Sequence, residues 1–150
     1  MVRAGSLLVI GVLLGVAGCG GGQKAADTTS SSTAAATSPY DMGPRAFEAP
    51  VNDALATQGE GLFKSKTCST CHGFGVRITG PDLKGVTHRR TAQWMQQQMQ
   101  HPDVMTKQDP ISRGLLGTYA VQMPNLNVTD DEAHSLIEFL KKKDKELGAQ

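Results

Sequence analysis

Cys68-Ser69-Thr70-Cys71-His72 is the stretch that decides how this chain folds. Two thiols separated by two residues, with an imidazole directly after the second, have the spacing of covalent c-type haem attachment. The thiols add across the two vinyl groups of haem, and the next residue sets its imidazole over the iron. Two other chemistries use a CxxC pair. A thioredoxin-type redox couple expects a strand before the motif and an α/β pattern around it, whereas helical patterns flank this one. A zinc site needs His72 plus one of His88, His101 or His134 to complete four ligands, at no recognised spacing. Haem is the reading carried forward, and a haem-free thiol or zinc protein is its competitor.

The flanking segments predict an all-α domain of about three to five helices wrapped around one haem. Asn52 or Asp53 can cap a helix over 53–66. Leu55, Gly59, Leu62 and Phe63 share one face of it. Glycine there costs about 1 kcal/mol of helix stability against alanine, so another helix is expected to approach closely. Thr91 can cap a helix over 91–100 that carries Trp94, Met95 and Met99 on its apolar side and stops at Pro102. Asp109-Pro110 is a cap followed by proline at the first helical position, with Ile111, Leu115 and Tyr119 at four-residue intervals. Gly114 and Gly117 weaken that segment. Thr129-Asp130-Asp131-Glu132 is a capping box opening a last helix with Ala133, Leu136, Ile137 and Leu140 on its apolar face and Phe139 at its flank. Lys141, Lys142 and Lys143 sit at the negative end of that helix, where they complement the dipole and favour solubility, with partner docking as the alternative reading. A short extended piece around 76–79 is the one departure from helix.

Iron bound by His72 has a second face. Met123-Pro124 is the best candidate to fill it: a thioether is soft and neutral, and proline stiffens the loop that must hold a weak bond. Methionine opposite histidine raises the reduction potential. Met95 and Met99 lie on a helix face and read as core filler, and Met105, read as a loop residue, is the remaining competitor. His88, His101 and His134 read as surface residues.

The N-terminus accounts for the third cysteine. Arg3 is followed by the uncharged run AGSLLVIGVLLGVAG over 4–18, too short to cross a membrane core of about 30 Å. A charged start, a short apolar middle and small residues at the end describe a signal peptide over 1–18. Val16-Ala17-Gly18-Cys19 resembles the lipobox of bacterial lipoproteins, which implies a lipid attached at Cys19. Residues 19–50 are rich in Gly, Ser, Thr, Ala and Pro and are expected to be a lipidated start and a flexible linker, with the folded domain over 51–150.

From about 53 to 143 the chain resembles class I (mitochondrial-type) c-type cytochromes. The resemblance rests on Gly59-x-x-x-Phe63 ahead of the haem motif, Gly80-Pro81-x-Leu83, Met123-Pro124 and Phe139 in the final helix. It implies that the first and last helices cross at Gly59 and Phe139. It implies that the backbone oxygen of Pro81 accepts from the second nitrogen of His72, the kind of contact that fixes ring orientation. It also implies that Arg89, Arg90 and Trp94 lie where haem propionates are met.

Composition narrows the function. Lys plus Arg number 15 and Asp plus Glu 14, a net charge of +1 that gives no case for nucleic acid. Three cysteines exclude a disulfide-dense scaffold and an all-cysteine zinc site. They divide as one for lipid and two for haem. The expected protein is a monomeric, membrane-tethered monohaem electron carrier and no enzyme. Cys68, Cys71, His72, Met123, Pro81, Arg89, Arg90 and Trp94 are its cofactor-binding residues, with His72 and Met123 on the iron. Its expected place is a bacterial membrane, facing the periplasm or the exterior. Its expected partners are a membrane respiratory complex or an extracytoplasmic reductase or oxidase. The alternative is a haem-based ligand-binding or sensor protein with an open sixth position.

Overall fold

The computed structural model describes residues 37–150, so the expected leader, Cys19 and most of the linker lie outside them. Six α-helices follow one another: α1 Asp53–Ser65, α2 Val86–Arg89, α3 Ala92–Gln100, α4 Pro102–Gln108, α5 Pro110–Tyr119 and α6 Asp130–Glu146. Single 3-10 turns occupy Ala46–Glu48 and Cys68–Thr70. Among the described residues there is no strand; the expected extended piece near 76–79 reduces to an isolated bridge between His72 and Arg77.

The caps read from the sequence form as drawn. Asn52 accepts from the Leu55 backbone N–H, Thr91 from Trp94, and Asp109 from Ser112. Thr129 and Glu132 close a reciprocal box at the start of α6. Helices α1 and α6 cross at Gly59. A Cβ there would overlap the Ser135 carbonyl and stand 2.8 Å from the Phe139 Cβ, so only glycine admits this approach. Phe63, Phe74 and Phe139 gather beside the crossing, with ring centroids 5.3–5.8 Å apart. Trp94, Met95, Met105, Leu136, Ile137 and Leu140 extend the core along α3, α4 and α6.

Some expectations need correction. Pro102 ends α3 but also opens α4, because a residue without an N–H suits the first helical position. Met105 thereby becomes a core residue, 1% exposed on a helix, where a loop was expected. Residues 38–48, read as linker, are packed. Ser38 and Ala46 are buried, and the Asp41 carboxylate accepts from the Thr91 backbone N–H at 2.8 Å. Arg45 and Arg90 also reach Asp41, each at 3.1 Å. Composition missed this because polar hydrogen bonds, rather than an apolar period, dock the segment. Within the lysine run, Lys141 has a structural part as well. Lys141 is buried, and its Nζ donates to the Pro50 carbonyl at 2.7 Å and to Glu138 at 2.8 Å. Lys142 pairs with Asp53 and Lys143 with Glu146.

Candidate functional site

An apolar cavity of about 300 Å³ opens between the haem motif, α3, α5 and the chain leading into α6. Cys68, Cys71 and His72 line it, as do Pro81, Arg89, Trp94 and Met123. The sequence therefore brings seven of its eight expected cofactor-binding residues to one place. The exception is Arg90, absent from the lining. Its guanidinium is drawn instead to Asp41, over the Trp94 ring at 5.1 Å. The packed segment at 38–48 supplies that carboxylate.

The motif is folded by its own backbone. Thr67 takes a left-handed conformation at φ 58°, and its carbonyl accepts from Thr70. The Cys68 carbonyl then accepts from both Cys71 and His72. This single turn sets both sulfurs and the imidazole toward the cavity. Burial pushes the Cys68 thiol above its ordinary pKa. Further on, the Gly80 N–H donates to the Cys71 carbonyl at 2.8 Å and the Leu83 N–H to Gly73 at 2.9 Å. These bonds bring the Pro81 carbonyl to the edge of the His72 ring.

His72 Nδ1 lies 2.9 Å from the Pro81 carbonyl. A carbonyl can only accept, so Nδ1 carries a proton and Nε2 is the nitrogen left to bind a metal. Gly80 is the cradle beneath: a Cβ there would stand 2.8 Å from His72 Cε1. The donor set thus fits a flat, apolar, iron-bearing group joined through Cys68 and Cys71 and ligated by His72.

Met123 reaches the cavity from an extended segment between α5 and α6. Gln122 steadies that segment, donating to the Pro102 carbonyl at 3.2 Å and accepting from the Thr106 hydroxyl at 2.9 Å. Gln98 on α3 points its amide nitrogen at the Met123 sulfur, 3.8 Å away. Met95 and Met99 also line the cavity, so the face read as core filler is at the same time cavity wall. Met105 does not line it, and neither do His88, His101 and His134. His88 is no plain surface residue, for its ring stacks on Phe47 at 3.7 Å.

The segment from α4 to the Met123 loop forms much of the wall, through Thr106, Ser112, Leu115, Leu116, Tyr119 and Val121. None of these is among the cofactor-binding residues expected from the sequence. The four-residue period of Leu115 and Tyr119 was the signal that could have found them. Trp94 connects this wall to α3. Its indole N–H donates to Asp109 at 3.1 Å, and the Ser112 backbone N–H donates to the same oxygen at 2.9 Å. Burial alone would raise the Asp109 carboxyl. The Ser38 hydroxyl, the Ser112 backbone N–H and the Trp94 indole outweigh burial and hold it below its ordinary value.

The cytochrome c family model matches residues 56–144. A cytochrome c-551 of Stutzerimonas stutzeri is 34% identical over 88 residues, which are 58% of this chain and 78% of that one. A cytochrome c-551 of Ectopseudomonas mendocina is 35% identical over 83 residues, 55% of this chain and 93% of the other. Among solved structures, a cytochrome c from Rhodothermus marinus superposes with a TM-score of 0.62 at 28% identity, covering 68% of this chain and 96% of that one.

Proposed function

The chain belongs to the cytochrome c family, and from that premise we propose that it is a membrane-tethered monohaem electron carrier with His72 and Met123 on the iron. Haem c is its cofactor, attached through Cys68 and Cys71. The carrying observation is the pairing of a proton-fixed imidazole, His72 on Pro81, with the Met123 sulfur on the same apolar cavity. When bound, the haem supplies one-electron chemistry between ferrous and ferric iron. The chain's own residues do the rest. His72 is held in one orientation, Met123 offers a neutral soft donor, and the leucines of α5 keep water from the cavity. Arg89, whose guanidinium rests on the Lys84 carbonyl at 2.7 Å, is the cation we assign to the haem's carboxylates.

We place the domain outside the cytoplasm on a lipid carried by Cys19, working as a monomer. Its partners are redox proteins, a membrane respiratory complex or an extracytoplasmic reductase or oxidase. Support for the anchor comes from the sequence resemblance at Val16-Ala17-Gly18-Cys19. Among the described residues no helix is long and apolar enough to cross a membrane.

The test is the ferric absorption spectrum of the haem-loaded protein, before and after Met123→Ala. A low-spin spectrum with the red sulfur-to-iron charge-transfer band is expected, and Met123→Ala should abolish that band. A high-spin spectrum of the parent protein would favour an open sixth position. A spectrum unmoved by Met123→Ala would refute the methionine assignment.

A further inference from the structure

We propose that Gln98 is a positioning residue for the Met123 sulfur, oriented by Ser112, and that this pair holds the sulfur on the iron and raises the reduction potential. The inference rests on Met123 ligation. Gln98 lines the cavity on α3, with its amide nitrogen 3.8 Å from Met123 Sδ. Its amide oxygen is 2.5 Å from the Ser112 hydroxyl. An amide can be turned end for end, so its direction has to be argued. A thioether sulfur carries no proton and can only accept, which requires the NH2 end to face Met123. The oxygen then faces Ser112, whose hydroxyl must donate.

Ser112 is fixed in turn. It is 1% exposed, so water does not compete for its hydroxyl. Its backbone N–H is tied to Asp109 at 2.9 Å, in the first turn of α5. The chain of bonds runs from the start of α5, through one side chain of α3, to the sulfur. It connects residues 14 and 25 positions apart, so it braces the loop against two helices at once. Gln122 restrains the backbone of the same loop, but its side chain reaches Met123 only at the carbonyl, 3.2 Å away. Among the hydrogen-bonding side chains of the described residues, Gln98 alone addresses the sulfur.

Two effects on the iron follow, with one sign. A donor on the sulfur draws electron density from it and weakens its support of the ferric state. The positive end of the amide dipole, directed at the same place, also disfavours the more highly charged iron. Removing the amide should therefore lower the potential. It should also loosen the sulfur and let an external ligand displace it more easily.

The experiment uses the full chain loaded with haem and compares wild type, Gln98→Leu, Ser112→Ala and Met123→Ala. Imidazole is the probe ligand for ferric iron, and the potential is read by redox titration. Gln98→Leu should keep the charge-transfer band, bind imidazole about five-fold more tightly, equivalent to about 1 kcal/mol, and show a lower potential. Ser112→Ala should shift both readings in the same direction by less, because it frees the amide without removing it. Ser112→Ala also keeps the proposal testable if Gln98→Leu does not mature. Suppose the band is present and is lost in Met123→Ala, while the other variants leave imidazole affinity or potential unchanged or raise the potential. Then the positioning role is overturned and methionine ligation stands. If Met123→Ala leaves the spectrum unchanged, ligation itself fails and the proposal falls with it.

Discussion

The two walls of the cavity are held by different means. The wall that carries Cys68, Cys71 and His72 is built by main chain on main chain: Cys71 and His72 on Cys68, Gly80 on Cys71, Leu83 on Gly73. The wall that carries Met123 is built by side chains: Trp94 and Ser112 on Asp109, Gln98 on Ser112, Gln122 on Thr106 and on Pro102. The difference suits the chemistry each wall must hold. Thioether attachment and a fixed imidazole need one invariant backbone geometry. On the proposed Met123 ligation, a weak sulfur donor would need to be steered and tuned, which side-chain amides and hydroxyls do without altering the chain's path.

Cutting the second wall at its root is the largest expected effect. Asp109→Ala removes the cap of α5 and leaves the buried Trp94 and Ser112 N–H groups unpaired. Loss of the cap, which is the Ser112 bond itself, costs about 1 kcal/mol, and the unpaired buried Trp94 indole about 1–3 kcal/mol. Together the loss should be about 3 kcal/mol. It also carries a pH signature. The folded Asp109 carboxyl lies below its ordinary value, so its ionic contribution is present above the ordinary Asp range, near about 3.9. That contribution is lost as pH falls through the lower folded value. Thermal unfolding of the haem-loaded proteins should therefore show a wide gap between wild type and Asp109→Ala at neutral pH, narrowing on acidification below that range. A gap that widens in acid would mean that the carboxylate is a burden in the fold rather than a support.

A single methyl group tests the first wall. Gly80→Ala puts a Cβ 2.8 Å from His72 Cε1 and 3.2 Å from the Cys71 carbonyl. The imidazole and the motif turn are tied to each other through backbone, so neither yields cheaply. Overpacking of this kind costs about 1–3 kcal/mol. The ferric spectrum should also shift, because the ring must tilt on its Pro81 bond. Unchanged unfolding and an unchanged spectrum would show that the His72 wall is softer than its backbone bonds imply.

This contrast also explains what the sequence could disclose. The first wall was legible because its information is local: a fixed CxxCH spacing, then Gly80 and Pro81 a few residues on. The helix crossing was legible for the same reason, since Gly59 on an apolar face announces a neighbour before the neighbour is known. The second wall was only half legible. Met123-Pro124 stood out, and Leu115 and Tyr119 showed a period. Gln98, Ser112 and Gln122 showed nothing, because a hydrogen bond between side chains 14 to 25 positions apart imposes no spacing on the sequence. Arg90 was misplaced for a related reason. Its partner Asp41 lies 49 positions upstream, in a segment whose composition reads as linker.

The smallest effect asks whether the second wall depends on its side chains alone. Gly114 lies inside α5, and a Cβ there would meet nothing within 4 Å. Nothing in the packing explains a glycine at that position. Gly114→Ala should therefore stabilise the helix by about 0.5–1 kcal/mol, the usual gain from lost chain entropy. That corresponds to a rise of about 2–6 °C in the melting temperature of the haem-loaded protein. The same substitution is thus expected to act with opposite sign on the two walls, destabilising at Gly80 and stabilising at Gly114. If Gly114→Ala instead lowers the melting temperature, α5 uses its glycine to bend toward the cavity. The Met123 wall would then rest on backbone geometry as the His72 wall does.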